Sequence, residues 1–477
     1  MATTTKKAAA AKRAPAAKTV RVWEDDPMSE GAAPIERPVP TLPKARMKLA
    51  FDVAQPPAGL YDLGTPEFRW WTTAESLSRA VGFWQPLLPK ATTWQGGPEL
   101  TVRLDAGDKL NAFYNRQTLS FFHATVKGQT VFSGDSPDVA THECGHAVLD
   151  AIRPELWSAM SHEVAAFHES FGDMSALLTG LQLPSVRDAV MAETGGILNR
   201  TSRLSRVAEQ LGWAVRQRTP CAADADCLRN AVNCFFYQPP EALPVLGPAA
   251  LLSSEPHSYS RVFTAAFLLT LTGMVITIGP PSSAVLSEAS QDAGRLLVAA
   301  VRAAPIAPNY MSQVAAAFVA ADKQLFDGKY LDAIANGFIG KGLLTESAVQ
   351  AASSPPAVSL MATGSAAATR NGLSVITLAG QDFGLDRPIV CEAATEAQQF
   401  AVAAVANDGG PARAPSAEAT ARGFLRELLV RNRVARPGRE AGDRTQTHEL
   451  VEDGGALRVV RRLFDVGVPW PIDGREV

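Results

Sequence analysis

The chain has 477 residues, of which 46% are hydrophobic and 19% charged, with a formal net charge of −3. That length buries at least one substantial core and commonly divides into two or three domains. The near-neutral balance excludes a general attraction to nucleic acid or to a charged membrane surface, so no nucleic-acid or membrane partner is expected. Cys144, Cys221, Cys227, Cys234 and Cys391 are too few and too irregular for a disulfide scaffold or a thiolate zinc site and suggest a reducing compartment. An exported protein would leave room for one loop disulfide, between Cys221 and Cys227.

Residues 1–45 read as a tail. Lys6, Lys7, Lys12, Arg13, Lys18 and Arg21 lie among Ala and Thr with no apolar run, which is unlike a secretory signal. A solvated disordered tail is the reading, with a nucleic-acid tail or a transit segment as alternatives, the latter kept open by the lack of acidic residues before Glu24. The default location is the cytoplasm, with export by a non-classical route also open. Pro34 to Pro43 packs little and should be extended or disordered. Folding is expected to begin after residue 45.

Residues 46–158 read as a strand-rich lobe. A helix is expected over 73–88, with Leu77, Ala80, Val81 and Trp84 on one face. Short strands follow at 99–104, 111–114 and 119–122, the last two separated by the polar turn Asn115 to Thr118. Residues 159–348 read as a helical lobe, with apolar helices over 262–278, 284–303 and 309–325. The best apolar run, Phe263 to Ile278, falls short of the roughly 18 uninterrupted residues of a membrane span and reads as a core helix. A linker at 349–370 leads to a small α/β extension over 371–477. It should hold a strand at 373–378, a helix near 417–434 and a hairpin turning at Asp453-Gly454-Gly455. The expected class is α+β, two lobes with a cleft between them plus the extension.

The chemistry concentrates in Ser136-Pro137-Asp138-Val139-Ala140-Thr141-His142-Glu143-Cys144-Gly145-His146. Ser136 suits an N-cap and Pro137 the first helical position, so a helix starts here and runs until Pro154. Four residues apart, His142 and His146 share a face and can point two imidazole nitrogens at one ion. Glu143 can reach a metal-bound water without taking a coordination position. Leu149 and Ile152 stand where an extended pattern would need Gly and His, so a third ligand comes from further along. On the next helix Glu169 and Asp173 are four apart, placing one carboxylate on the metal and the other behind a ligand imidazole. His162 and His168 are rival ligands.

With these residues in view, the sequence resembles the thermolysin-like (gluzincin) zinc metallopeptidases, with gaps, from about Thr73 to Leu344. The resemblance rests on His-Glu-Cys-Gly-His-Ala-Val at 142–148, preceded by Asp138-Val139, on His-Glu-Ser-Phe-Gly-Asp at 168–173, on Asn-Ala-Phe-Tyr at 111–114 and on His-Ser-Tyr-Ser at 257–260. It implies one catalytic Zn2+, a two-lobed fold and cleavage of internal bonds in peptide or protein substrates. Asn111 and Ala112 would hold the substrate backbone, His257 would stabilise the oxyanion and Arg203 would hold a substrate carbonyl, with Arg200 and Arg206 close by. No Tyr lies between His146 and Glu169, so Trp157 or another donor would replace the family's carbonyl-polarising tyrosine. No calcium is predicted, because Asp138 alone is poor grounds for a site. Two competing expectations are a catalytically weak or inactive zinc-stabilised binding module or delivered cargo, and a zinc hydrolase of a non-peptide substrate.

Overall fold

A computed structural model describes residues 19–44, 46–354, 369–370, 373–394, 415–436 and 446–467. The basic stretch before Thr19 and most of the expected linker lie outside them. The protein is a mixed α+β structure with several small sheets.

The Pro-rich stretch is part of the fold, which corrects the expected boundary at 45. Strands β1 (Thr19–Val22) and β2 (Ile35–Pro38) pair antiparallel, and Val20 and Val22, alternating with polar neighbours, are fully buried. The following turn is tied down by Asp26, whose carboxylate receives N–H bonds from Met28 and Gln210 and the hydroxyl of Ser136. Two buried valines and a well-bonded acid outweigh the low packing capacity of the prolines.

β3 (Lys48–Phe51) precedes helix α1 (Pro66–Trp84), which begins earlier than expected because Thr65 caps it, accepting from Phe68 N, and Pro66 takes the first position. Strands β4 (Glu99–Arg103), β5 (Ala112–Tyr114) and β6 (Thr118–Phe121) follow, then the hairpin β7 (His123–Val126) and β8 (Gln129–Phe132). β3, β4 and β6 run parallel, and β5 is antiparallel to β6.

Helix α2 (Pro137–Ile152) starts at the expected cap, where Ser136 Oγ accepts from Val139 N. Helix α3 (His162–Gly180) lies against it so closely that a β-carbon at Gly145 would fall 2.8 Å from Ser175 Cβ and 3.0 Å from Gly172 Cα. Trp84 Nε1 donates to Ser175 Oγ, which donates to Thr141 O, so α1, α2 and α3 are cross-bonded through buried groups. After α4 (Pro184–Thr194), the short pair β9 (Arg206–Val207) and β10 (Arg229–Asn230) flanks α5 (Glu209–Arg218).

Helices α6 (Pro256–Ile278), α7 (Ser283–Ala303), α8 (Tyr310–Phe326), α9 (Leu331–Gly340) and α10 (Glu346–Ser353) complete the helical part. By length and composition α6 would cross a membrane, but most of it is buried within the protein, with Phe263 set edge-on to Phe167 of α3. Cys221 and Cys227 are both free thiols.

The C-terminal extension is a six-stranded mixed sheet with helix α11 (Ala417–Val430) packed on it. Its strands are β11 (Thr369–Arg370), β12 (Leu373–Leu378), β13 (Ile389–Ala394), β14 (Val434–Ala435), β15 (His448–Asp453) and β16 (Ala456–Arg461). Gly454 and Gly455, both at positive φ, make the β15–β16 turn. The chain then leaves this sheet, and β17 (Phe464–Asp465) pairs antiparallel with β5, giving the first sheet the order β17-β5-β6-β4-β3.

One buried acid outside the His142–His146 cluster makes the stability pH-dependent. Glu163, at the start of α3, accepts from Tyr237 Oη at 2.7 Å and Met311 N at 2.9 Å, yet burial pushes it up to about 8 from 4.5. The folded state therefore holds its proton more tightly than the unfolded chain. That contribution is complete below pH 4.5 and disappears as pH rises through about 8. Urea unfolding of wild type and Glu163→Gln should show the wild type losing ground to the variant across this window. A pH-independent difference would contradict the assignment.

Candidate metal centre

His142 and His146 sit one turn apart on α2, their rings edge-to-face with centroids 4.7 Å apart. Glu169 Oε2, projecting from α3, lies 3.4 Å from His142 Nε2 and 3.5 Å from His146 Nε2. All three atoms are buried, and none has a properly directed hydrogen bond from the protein. A hydrated surface would tolerate that arrangement, whereas a buried one leaves each group without a partner. The group His142, Glu143 and His146 also offers ligand atoms within 4.8 Å of one another and could hold a metal ion.

Two carboxylates, Glu143 and Glu169, lie against these imidazoles, and their environments differ. Glu169 faces His257, His146 and His142, and its interactions with them overcome burial and hold it well below the usual carboxylate range. Glu143 is pushed well above that range by burial, and neither of its oxygens has a partner. Burial would lower His142, but the carboxylates of Asp173 and Glu169 raise it to about 9, so the pocket stabilises positive charge. Burial lowers His146 to about 4, which keeps its imidazole neutral. Buried nitrogen and oxygen donors gathered in this way could hold a metal ion.

Behind the donors lies a shell of oriented partners. Asp173 Oδ1 is 3.0 Å from His142 Nδ1, and Arg229 of β10 grips Asp173 through bonds of 2.7 and 3.1 Å. His168 Nδ1 is 2.9 Å from His146 Nδ1, so this rival ligand lies behind His146. His162, the other rival, instead bonds Glu427 of α11. His257, near the start of α6, sets Nδ1 2.7 Å from Glu255 and Nε2 3.2 Å from Glu169 Oε2. Glu255 is itself the α6 N-cap and pairs with Arg431.

The space around His142 is closed by glycine: a β-carbon at Gly172 would fall 2.6 Å from His142 Nδ1 and Cε1. Gly172→Ala should therefore push the ring off Asp173, destabilising the protein by about 1–3 kcal/mol and weakening metal uptake. Calorimetry and metal analysis at limiting zinc check both; a variant that binds metal like the wild type would show that the ring can shift freely.

Asn111 and Ala112 lie at β5 and are buried, with Asn111 Oδ1 accepting from Ala112 N. Arg203 is a correction. Its guanidinium is held by Glu193 at 2.7 Å and Asp25 at 3.2 Å, next to the N-terminal segment, and none of its bonds reaches the histidines. The arginine at the donors is Arg229, for which the sequence offers no motif. Trp157 is a second correction: its indole N–H donates to Arg461 O at 3.3 Å and its ring packs on Tyr114 and Phe464, so it is already committed. Asp138 receives Ala208 N and serves the fold.

No protein-family model matches the chain, and no curated protein matches its sequence.

Proposed function

We propose that the protein is a zinc-dependent endopeptidase of thermolysin-like, two-lobed architecture, with its cleft between the β5 sheet and the helices from α3 onward. The observation that carries this reading is the convergence of His142 Nε2, His146 Nε2 and Glu169 Oε2 beside an unpartnered Glu143 carboxyl. One zinc ion on those three atoms would supply Lewis-acid polarisation of the peptide carbonyl and a water of pKa near about 7.

The remaining work falls to the chain. Glu143, with no competing hydrogen bond, takes the proton of the attacking water and passes it to the leaving amine. His257, its Nδ1 held by Glu255, directs Nε2 to the oxygen on which charge develops. Asp173 fixes the orientation of His142, and His168 that of His146. Asn111 and Ala112 present the backbone edge for an extended peptide, and Arg229 takes the carbonyl-holding role expected of Arg203.

A second reading, a catalytically silent zinc-stabilised binding module, is favoured by one observation: Phe464–Asp465 already pairs with the β5 edge. Metal analysis of the purified protein, with hydrolysis of an unstructured protein substrate in the presence and absence of chelator, tests the proposal. About one zinc per chain with chelator-sensitive cleavage supports it. A chain that takes up no zinc would sink it, and zinc without cleavage in any variant would leave the silent module.

A further inference from the structure

The segment after β16 makes contacts that a linker would not need. Phe464 and Asp465 add to the free edge of β5 opposite Tyr114 and Phe113, and Val466 N donates to Ala112 O at 3.0 Å. Asp465 O lies 2.8 Å from His257 Nε2, and Arg229 Nη1 donates to Val466 O at 2.7 Å. The Phe464 ring stacks on His168 at 3.7 Å and on His146 at 5.0 Å. Gly467, at φ +76°, passes so close to His257 that a β-carbon there would fall 2.0 Å from the ring. Successive backbone groups of one short strand thus meet the edge strand, the histidine and the arginine assigned above to a substrate.

We propose that Phe464–Gly467 is a built-in occupant of the peptide cleft, bound as an added β-strand in substrate register, which closes the site to peptides from outside until it leaves. The identity of the cleft as a peptide site rests on the function proposed above; the occupancy does not. Strand addition binds through main-chain bonds and is blunt to sequence, so a tethered segment competes well with any free peptide. The packing is close as well. Between Glu169, His257, Arg433 and Asp465 a small cavity of about 20 Å³ remains, room for a water. Asp465 is clamped by Arg433 at 2.9 Å, and Arg433 lies just beyond α11, so the extension itself holds the strap in place. That gives residues 371–477, to which the sequence assigned no chemistry, a role. A site competent only in its open fraction has an apparent affinity reduced by that fraction.

The test uses the full-length, metal-loaded chain and two variants that lift the strap by different means. Gly467→Val puts a β-branched side chain into His257 at a positive φ, and Val466→Pro removes the N–H given to Ala112. Thermal melting shows which of them folds. Amide hydrogen exchange reports whether 464–466 and the β5 edge have come apart. Affinity for a fluorescent peptide of residues 462–467, measured in a Glu143→Gln background, reports access to the cleft without depending on catalysis.

In the wild type the Val466 amide should be protected. In folded Gly467→Val it should exchange freely, and in folded Val466→Pro, which has no amide proton at 466, the amides of the β5 edge should; in both, peptide affinity, and peptidase activity if the chain has it, should rise at least about tenfold. Higher peptide affinity without any hydrolysis would uphold the occupancy and reject the peptidase. Unchanged affinity in a folded variant whose strap has come away from β5, read from the 464–466 amides in Gly467→Val and from the β5-edge amides in Val466→Pro, would overturn the proposal, as would a Val466 amide unprotected in the wild type.

Discussion

On the proposed peptidase reading, replacing Glu143 by Gln is expected to lower peptide hydrolysis by about 10²–10⁴, the usual contribution of a positioned general base, while zinc content stays at the wild-type level. The two halves of this result come from different atoms. The Glu143 oxygens are buried and unpartnered, whereas the atoms nearest both ligand imidazoles belong to Glu169. Gln keeps the size of the side chain and removes only its ability to accept the proton. Metal analysis and turnover on the same preparations check it, with the strap-releasing Gly467→Val change added if wild-type turnover is low. A variant as active as its parent would remove the assigned base. Loss of zinc with loss of activity would instead make Glu143 a ligand, since His142, Glu143 and His146 alone form a compact donor group.

The largest effect on stability should come from Arg229→Met. Arg229 and Asp173 are both almost fully buried, joined by bonds of 2.7 and 3.1 Å, and Asp173 also holds His142 Nδ1. Arg229 and the His142 contacts overcome burial and hold Asp173 far below the usual carboxylate range. Taking the guanidinium away leaves an uncompensated carboxylate in the interior, a loss of about 3–5 kcal/mol for such pairs. Adding Asp173→Asn to the same chain should recover part of it, because the stranded charge is then gone. Denaturant unfolding of the two single variants and the double variant measures the coupling. A loss below about 1 kcal/mol for Arg229→Met would mean that water reaches the pair and screens it as at a surface. Zinc uptake should weaken in both single variants, since Asp173 orients a ligand ring.

What could be read from the sequence was local. Ser136 and Pro137 mark the start of α2 because an N-cap oxygen and a fixed φ are properties of single residues, and the four-residue spacing of the histidines follows from helix geometry. Glu169 and Asp173 were legible for the same reason, as were the β15–β16 turn at Gly454-Gly455 and the helices of the second half. The apolar pattern puts the start of helix α1 seven residues late because it is clearest in the helix's second half, while Thr65 and Pro66 carry the start signal. The N-terminal pair β1–β2 was missed: its four-residue strands are too short for a pattern, and their burial depends on α1 and on the Asp26 bonds to distant residues.

By itself the sequence determined which residues stand on α2 and α3 and which of their faces carry nitrogen and oxygen donors, because periodicity and capping act within a few residues. Only the tertiary structure decided which groups surround those donors. It brought Arg229, 56 residues from Asp173, onto that carboxylate, turned Arg203 away toward Glu193, and laid Val466 on Ala112 across more than 350 positions of chain. Such contacts repay the entropy of closing long loops only through burial and bonding summed over the whole fold, and no local pattern records that sum.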